Sequence, residues 1–268
     1  MSSLFDVGGY RLACEIVGTG TPPVVFIAGL GDAGDVWNPV IDAMRVGTAA
    51  VTYDRPGLGS SDPLPKDLRG KTRSYGDSAA ELGCLLHESH VDSPSVVVGH
   101  SIGALVAMAY ASRCPAAVAG LVTVDATDPS LYLDVNNPQE SIVDGDLEGC
   151  ATFDWVKGLR EFESLDMPRV PAIVLSSAVG RWATAKEPEL YRPFTLAEVD
   201  ARWQAWQRRL AQTLGAALSV APTGGHYVHT ELPHLIASAI DAVVQSARRG
   251  DDVVEDQLGP GAGFRAAL

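Results

Sequence analysis

A run of apolar and β-branched residues at positions 95–98 breaks at Gly99-His100-Ser101-Ile102-Gly103 and continues into an alanine-rich stretch ending near Arg113. A strand that turns sharply into a helix needs small residues on both sides of the turn, because the two backbones approach closely there. Gly99 and Gly103 meet that need, and Ser101 between them is then held on a strained turn with its hydroxyl at the end of the strand. A serine between two glycines can equally be an ordinary helix N-cap. The buried strand before it and the helix after it favour the sharp turn, and make Ser101 a candidate nucleophile.

Strand and helix patterns alternate on either side of this point. Apolar runs at 10–17 and 24–28, separated by Gly18-Thr19-Gly20-Thr21-Pro22-Pro23, read as an early hairpin feeding a central strand. Short buried strands are expected at 48–53 and 95–98, with a helix at 72–90 on the spacing of Ala79, Leu82, Leu85 and Leu86. Beyond Ser101 come a helix to Arg113, strands at 118–124 and 171–176, a helix at 196–214, a strand at 217–221 and an amphipathic helix at 232–247. This order predicts the α/β class, with a mostly parallel central sheet flanked by helices.

Between the strands at 118–124 and 171–176 lies a segment with weak periodicity, rich in Pro, Asn and Asp, which fits a small inserted cap better than a sheet element. The expected organisation is a core of residues 1–127 and 170–248, a cap of residues 128–169, and a tail of residues 249–268. That tail is too poor in apolar residues to pack and reads as disordered.

With 46% apolar and 20% charged residues, a chain of 268 has ample material for one buried core. Its 33 acidic against 20 basic residues repel phosphate backbones and anionic lipid headgroups, so neither nucleic acid nor a membrane is an expected partner. Cys14, Cys84, Cys114 and Cys150 are widely spaced, as reduced packing residues are, and make no zinc or redox motif. The stretch MSSLFDVGGY has neither a basic start nor an apolar run, and a cytoplasmic address is expected. With no metal cluster and no phosphate loop in the pattern, no cofactor is expected; oligomeric state is not legible.

A serine hydroxyl needs a base to take its proton. Among six histidines, His226 in Thr223-Gly224-Gly225-His226-Tyr227 follows the last strand and precedes the last helix, which places it at the same carboxyl edge of the sheet as Ser101. His229 is the rival, read as a supporting or helix-capping residue, and His100 is read as pointing away. Backbone N–H groups for a developing oxyanion are expected from Ile102, next after the serine, and from Leu30, in Ala28-Gly29-Leu30-Gly31 after an earlier strand.

Together and in this order, these segments resemble the α/β-hydrolase superfamily over most of the chain. Tyr53-Asp54-Arg55-Pro56-Gly57-Leu58-Gly59-Ser60-Ser61-Asp62 resembles the superfamily's D-x-P-G-x-G-x-S loop, and Gly225-His226 with Glu231 and Pro233 resembles its histidine loop. Asp54 and Asp62 are accordingly read as structural. The likeness is nearest to an esterase-like branch, with Ala28 where a histidine commonly stands before the oxyanion glycine. In the commonest pattern the catalytic acid follows the strand at 171–176, but Ser176-Ser177-Ala178-Val179-Gly180-Arg181 has no carboxylate. The alternative seat is the end of the preceding strand, where Asp125 is expected to orient the imidazole, with Asp128 as the other candidate. Trp203 and Trp206, three apart on a helix, read as core.

The resemblance implies a serine hydrolase acting on an ester-type bond of a small molecule (carboxylic ester, thioester or lactone) through an acyl-enzyme. Serine at the turn argues against the superfamily's epoxide hydrolases and haloalkane dehalogenases, which carry aspartate there. A non-hydrolytic member of the same fold, a cyclase, lyase or ligand-binding protein, is the alternative.

Overall fold

The structure, a computed structural model, describes residues 2–69, 71–135, 142–143, 152–185 and 188–253. Its main sheet has eight strands: β1 (Ser3–Asp6), β2 (Arg11–Val17), β3 (Val24–Ile27), β4 (Ala50–Tyr53), β5 (Ser95–His100), β6 (Val118–Val124), β7 (Ala172–Ser176) and β8 (Ala217–Val220). They lie side by side in the order β1-β2-β4-β3-β5-β6-β7-β8. From β4 to β8 every pairing is parallel; β2 runs antiparallel to both β1 and β4.

Strand geometry sends alternate side chains to opposite faces, and each face has its own helices. Val25, Ile27, Val97, Leu121 and Val174 pack with helices α2 (Tyr75–Glu88), α3 (Ile102–Arg113) and α6 (Leu196–Leu214). On the other face Val24, Phe26, Val98, Val122 and Leu175 meet α1 (Asn38–Ala43) and α8 (Pro233–Arg249). Apolar residues on both faces explain why the central strands read as continuous runs instead of alternating ones. Helix α3 is buried along most of its length, and its alanines let it nest between the sheet and α2.

The expected hairpin between 10–17 and 24–28 is not formed. Strand β2 turns back on β1, with Ser3 opposite Cys14 and Asp6 opposite Arg11. Asp6 Oδ1 accepts from the N–H groups of Gly8 and Gly9, whose φ angles of 114° and 100° only glycine adopts readily. The Gly18-to-Pro23 segment instead crosses over β4, its glycines lying against the Gly47 and Thr48 backbone, and delivers the chain to β3.

The insertion between β6 and β7 holds helices α4 (Pro129–Val135) and α5 (Trp155–Glu163). Contrary to the sequence reading it also contributes two short strands, Ile142–Val143 and Thr152–Asp154, which form a ribbon with Thr72–Arg73. Glu161 of α5 accepts from Ser74 Oγ at 2.8 Å and ties this segment to the start of α2. Asp54 accepts from the N–H groups of Gly34 and Ser60, both at 2.8 Å, and Asp62 pairs with Arg11, so both carboxylates hold loops together. Cys14, Cys84 and Cys114 are unbridged, while Cys150 and most of the expected tail, residues 254–268, lie outside the described residues. Among the described residues no helix is long and apolar enough to cross a membrane.

Candidate active site

Ser101 sits between β5 and α3 with φ 56° and ψ −122°, a backbone conformation that a non-glycine residue holds only when its surroundings impose it. The imposition comes from packing. A Cβ on Gly99 would lie 2.3 Å from the Gly103 carbonyl oxygen, and one on Gly103 would lie 2.4 Å from the Ile27 carbonyl oxygen. Both glycines are therefore needed for strand and helix to meet, and the Ser101 N–H is fixed by donating to Val124 O at 3.0 Å.

His226 lies in the loop between β8 and the short helix α7 (Val228–Glu231). Its Nε2 is 2.9 Å from Ser101 Oγ and its Nδ1 is 2.7 Å from Asp125 Oδ2. The loop is braced by Gly225 N–H donating to Glu231 at 2.8 Å, and by His100, whose Nε2 donates to the His226 carbonyl at 2.8 Å. His100 therefore does not point away, as the sequence reading had it, but supports the His226 backbone. Packed at 4.1 Å from the His100 ring and 4.8 Å from Trp37, His229 is wholly buried. Burial, reinforced by the neighbouring His226, holds His229 down at about 4 and His100 well below the ordinary histidine value, so both rings are neutral.

Asp125 ends β6 in a left-handed conformation, φ 45°, and is completely buried. Its Oδ1 accepts from the Ser177 N–H at 2.8 Å and from the Trp203 indole N–H at 2.7 Å. Its Oδ2 faces His226, with the Arg181 guanidinium 3.5 Å away. Burial by itself raises the carboxyl, but the His226 hydrogen bond, Arg181 and the Ser177 N–H outweigh it and hold Asp125 below the usual carboxylate range. A buried charge is tolerable only with such partners. Asp128, the other candidate, turns back to accept from the N–H and Oγ of Ser130 at 2.9 and 2.6 Å, and caps α4.

Ile102 opens α3, so its N–H belongs to the first turn, where a helix leaves donors without intrahelical partners. Leu30 lies in the loop after β3. Arg55, buried in the Asp54–Asp62 loop, donates to the carbonyls of Ala28 at 2.7 Å and Gly29 at 2.5 Å. Because a trans peptide places C=O and N–H on opposite sides, holding the Gly29 carbonyl turns the Leu30 N–H away from Arg55.

Several contributors escaped the sequence reading. Trp203 and Trp206 are core residues, yet both indole N–H groups are committed to the turn after β6: Trp203 to Asp125, and Trp206 to Ala126 O at 3.1 Å. Gln207 adds a second donor to Ala126 O at 2.7 Å. Arg181 lies over the rings of Trp182 and Trp203, at 3.9 and 4.5 Å from their centroids. Thr127 places Oγ1 2.9 Å from Ser101 Oγ. The spacing of 203, 206 and 207 on one helix face was the available signal for the first group; Arg181 and Thr127 carried none. No cluster of His, Cys, Asp and Glu suited to a metal ion occurs among the described residues.

Sheet order, sharp turn and the Ser101, His226 and Asp125 constellation define the α/β-hydrolase class. The chain belongs to the alpha/beta hydrolase family, whose model matches residues 24–264. Among curated relatives, a candidate carbamate hydrolase of Escherichia coli, RutD, is 38% identical over 106 residues, 39% of this chain and 38% of that protein. The match thus spans less than half the length of either. A thermophilic esterase from Thermogutta terrifontis superposes with a TM-score of 0.62 at 17% identity, covering 92% of this chain and 99% of the esterase. A haloalkane dehalogenase of Agrobacterium tumefaciens, DatA, superposes with a TM-score of 0.65 at 14% identity, covering 92% and 97%. At such identities these two structures establish the fold alone.

Proposed function

We propose that this chain is a serine hydrolase that cleaves an ester-type bond of a small molecule (carboxylic ester, thioester or lactone) through an acyl-enzyme on Ser101. The carrying observation is the continuous relay from Ser101 Oγ to His226 Nε2 at 2.9 Å and from His226 Nδ1 to Asp125 Oδ2 at 2.7 Å. In this reading His226 takes the Ser101 proton as Oγ adds to the carbonyl carbon, then returns it to the leaving group. Water repeats the sequence on the acyl-enzyme. Asp125 holds the imidazole in the required tautomer and stabilises the imidazolium, and the N–H groups of Leu30 and Ile102 receive the oxyanion.

The insertion starting at Pro129 serves as the cap that shapes the substrate site. Support comes from its first helix, whose Leu131 packs with Trp182 and Trp203 beside the Asp125 turn. Exposed Tyr227 and Val179 belong to segments joined by the Ala178 N–H bond to Gly224 O, and give the edge near His226 an apolar character suited to uncharged acyl groups.

A fluorophosphonate probe followed by mass mapping tests the reading. Labelling is expected on Ser101, abolished in Ser101→Ala, collapsed in His226→Ala and slowed in Asp125→Asn. A folded chain that takes no label with a probe small enough to enter would refute it.

A further inference from the structure

Thr127 stands against the nucleophile and has no part in the reading above. It is almost wholly buried, and its Oγ1 lies 2.9 Å from Ser101 Oγ, the same distance as His226 Nε2. Its backbone is anchored as well: the Thr127 N–H donates to Ser101 O at 3.3 Å, and the preceding Ala126 carbonyl is held by Trp206 and Gln207. The chain segment Asp125-Ala126-Thr127 thus presents Asp125 to the histidine and Thr127 to the serine.

Proton accounting fixes the direction of the contact. The Asp125 carboxylate only accepts, so in the neutral imidazole that acts as the base His226 Nδ1 carries a hydrogen and Nε2 a lone pair. Ser101 has one hydroxyl proton, and Nε2 takes it. The Thr127 hydroxyl must then be the donor and Ser101 Oγ the acceptor.

We propose that Thr127 is a further catalytic residue, a fixed hydroxyl donor to Ser101 Oγ whose main effect is on the breakdown of the acyl-enzyme. This rests on the serine-hydrolase reading. In the acyl-enzyme, Oγ is the alkoxy oxygen of an ester and a weak acceptor. During deacylation water gives a proton to His226 Nε2, its oxygen bonds to the acyl carbon, and the bond from that carbon to Oγ breaks. Oγ leaves with the bonding pair and receives the proton from Nε2. As charge grows on Oγ the Thr127 bond strengthens, whereas Thr127 keeps its own proton throughout. Only an interaction stronger in the transition state than in the state before it accelerates a step. In acylation Oγ begins as a hydroxyl oxygen already accepting from Thr127, so the gain there is smaller.

The test uses p-nitrophenyl acetate with the full chain, separating the pre-steady-state burst of p-nitrophenolate from the steady rate. Thr127→Val keeps the shape without the donor, and Thr127→Ser keeps the donor. Deacylation in Thr127→Val is expected to fall roughly 10- to 100-fold, the worth of one hydrogen bond to a charged partner. Acylation should fall several-fold less, so that a burst of acyl-enzyme accumulates, and Thr127→Ser should deacylate near the wild-type rate. Equal losses in both steps, unchanged deacylation in the valine variant, or no recovery with serine would each overturn the proposal. Should Thr127→Val lack a cooperative melt, Thr127→Ala is read in its place by the same criteria. Wild-type protein that neither turns over the ester nor takes fluorophosphonate label would remove the serine-hydrolase reading itself, a result distinct from failure of the Thr127 role.

Discussion

The indole N–H of Trp203 donates to Asp125 Oδ1 at 2.7 Å, on the carboxylate oxygen opposite the one that meets His226. Helix α6 thereby orients the carboxylate from behind. Trp203→Phe keeps most of the buried ring and deletes that one donor, leaving Ser177 N–H alone on Oδ1. We expect kcat/KM to fall roughly 10-fold or more and stability to drop by about 1.5–3 kcal/mol, the range for the loss of one hydrogen bond to a charged group. Ester hydrolysis and urea denaturation of the same variant measure both.

How much of this was readable in the sequence depends on how local each signal is. Residues 118–124 and 196–214 show their strand and helix because apolar patterning is written within the segment, and the structure places both elements at those bounds. Strand β1 was missed because Ser3–Asp6 is short and mostly exposed. The false hairpin came from pairing neighbours in sequence, although β3, buried at every position, has the signature of a central parallel strand. Ser101 and His226 stand among glycines that advertise their turns. Asp125, with Asp128 beside it, is legible only through the superfamily resemblance, whose alternative seat for the acid is the end of β6 when no carboxylate follows β7. Thr127 and Arg181, on the segments that follow β6 and β7, and the indole N–H of Trp203, carried by α6, meet at the site only once the strands are side by side and α6 is docked, and that assembly leaves no mark at a single position.

Arg55 links the Asp54–Asp62 loop to the strand end where Leu30 lies. Arg55→Met removes the guanidinium donors to the carbonyls of Ala28 and Gly29 while keeping an apolar stem. The Gly29 carbonyl keeps the Asp32 N–H at 3.1 Å but loses its charged partner, so the Leu30 peptide is held less firmly, and the proposed oxyanion donor, once out of position, acts in the transition state more than in substrate binding. The expected outcome is a loss in kcat of roughly 10- to 100-fold, with KM changed much less. An equal effect carried wholly by KM would show that Arg55 shapes the binding site instead.

Asp125→Asn leaves volume nearly unchanged and reverses one proton. With Oδ1 still accepting from Ser177 and Trp203, the amide nitrogen faces His226 Nδ1 and donates to it. Nε2 must then carry the hydrogen and can no longer accept from Ser101. A loss in kcat on the order of 10⁴ is expected, by analogy with triads in which the same exchange fixes the wrong tautomer. Acid stability adds a second readout. Asp125 is held below its unfolded value, so its contribution is present above about pH 4 and is lost as pH falls through the lower native value. The asparagine variant should therefore show a shallower stability loss below pH 4 in urea titrations.

His229 sets a pH dependence of the opposite kind. In the native state the buried ring titrates at about 4, whereas an unfolded histidine titrates near 6.5. Between those values the unfolded chain binds a proton that the native one refuses. Stability then falls as pH drops through 6.5 and the loss is complete below about 4. The slope approaches about 1.4 kcal/mol per pH unit, and the total is about 3 kcal/mol. Neither ring nitrogen of His229 has a hydrogen-bond partner among the described residues, and its ring packs on Trp37 at 4.8 Å. Phenylalanine at this position should therefore preserve the packing and relieve two unpaired polar atoms, leaving stability at pH 7 equal or higher. Urea denaturation at pH 7 and pH 5 should show the variant losing about 2 kcal/mol less than wild type between the two. His100, which burial also holds well below the ordinary histidine value, contributes to the remaining slope in the same direction. An unchanged difference between the two pH values would mean that His229 reaches a proton-binding partner in solution and does not titrate as a buried ring.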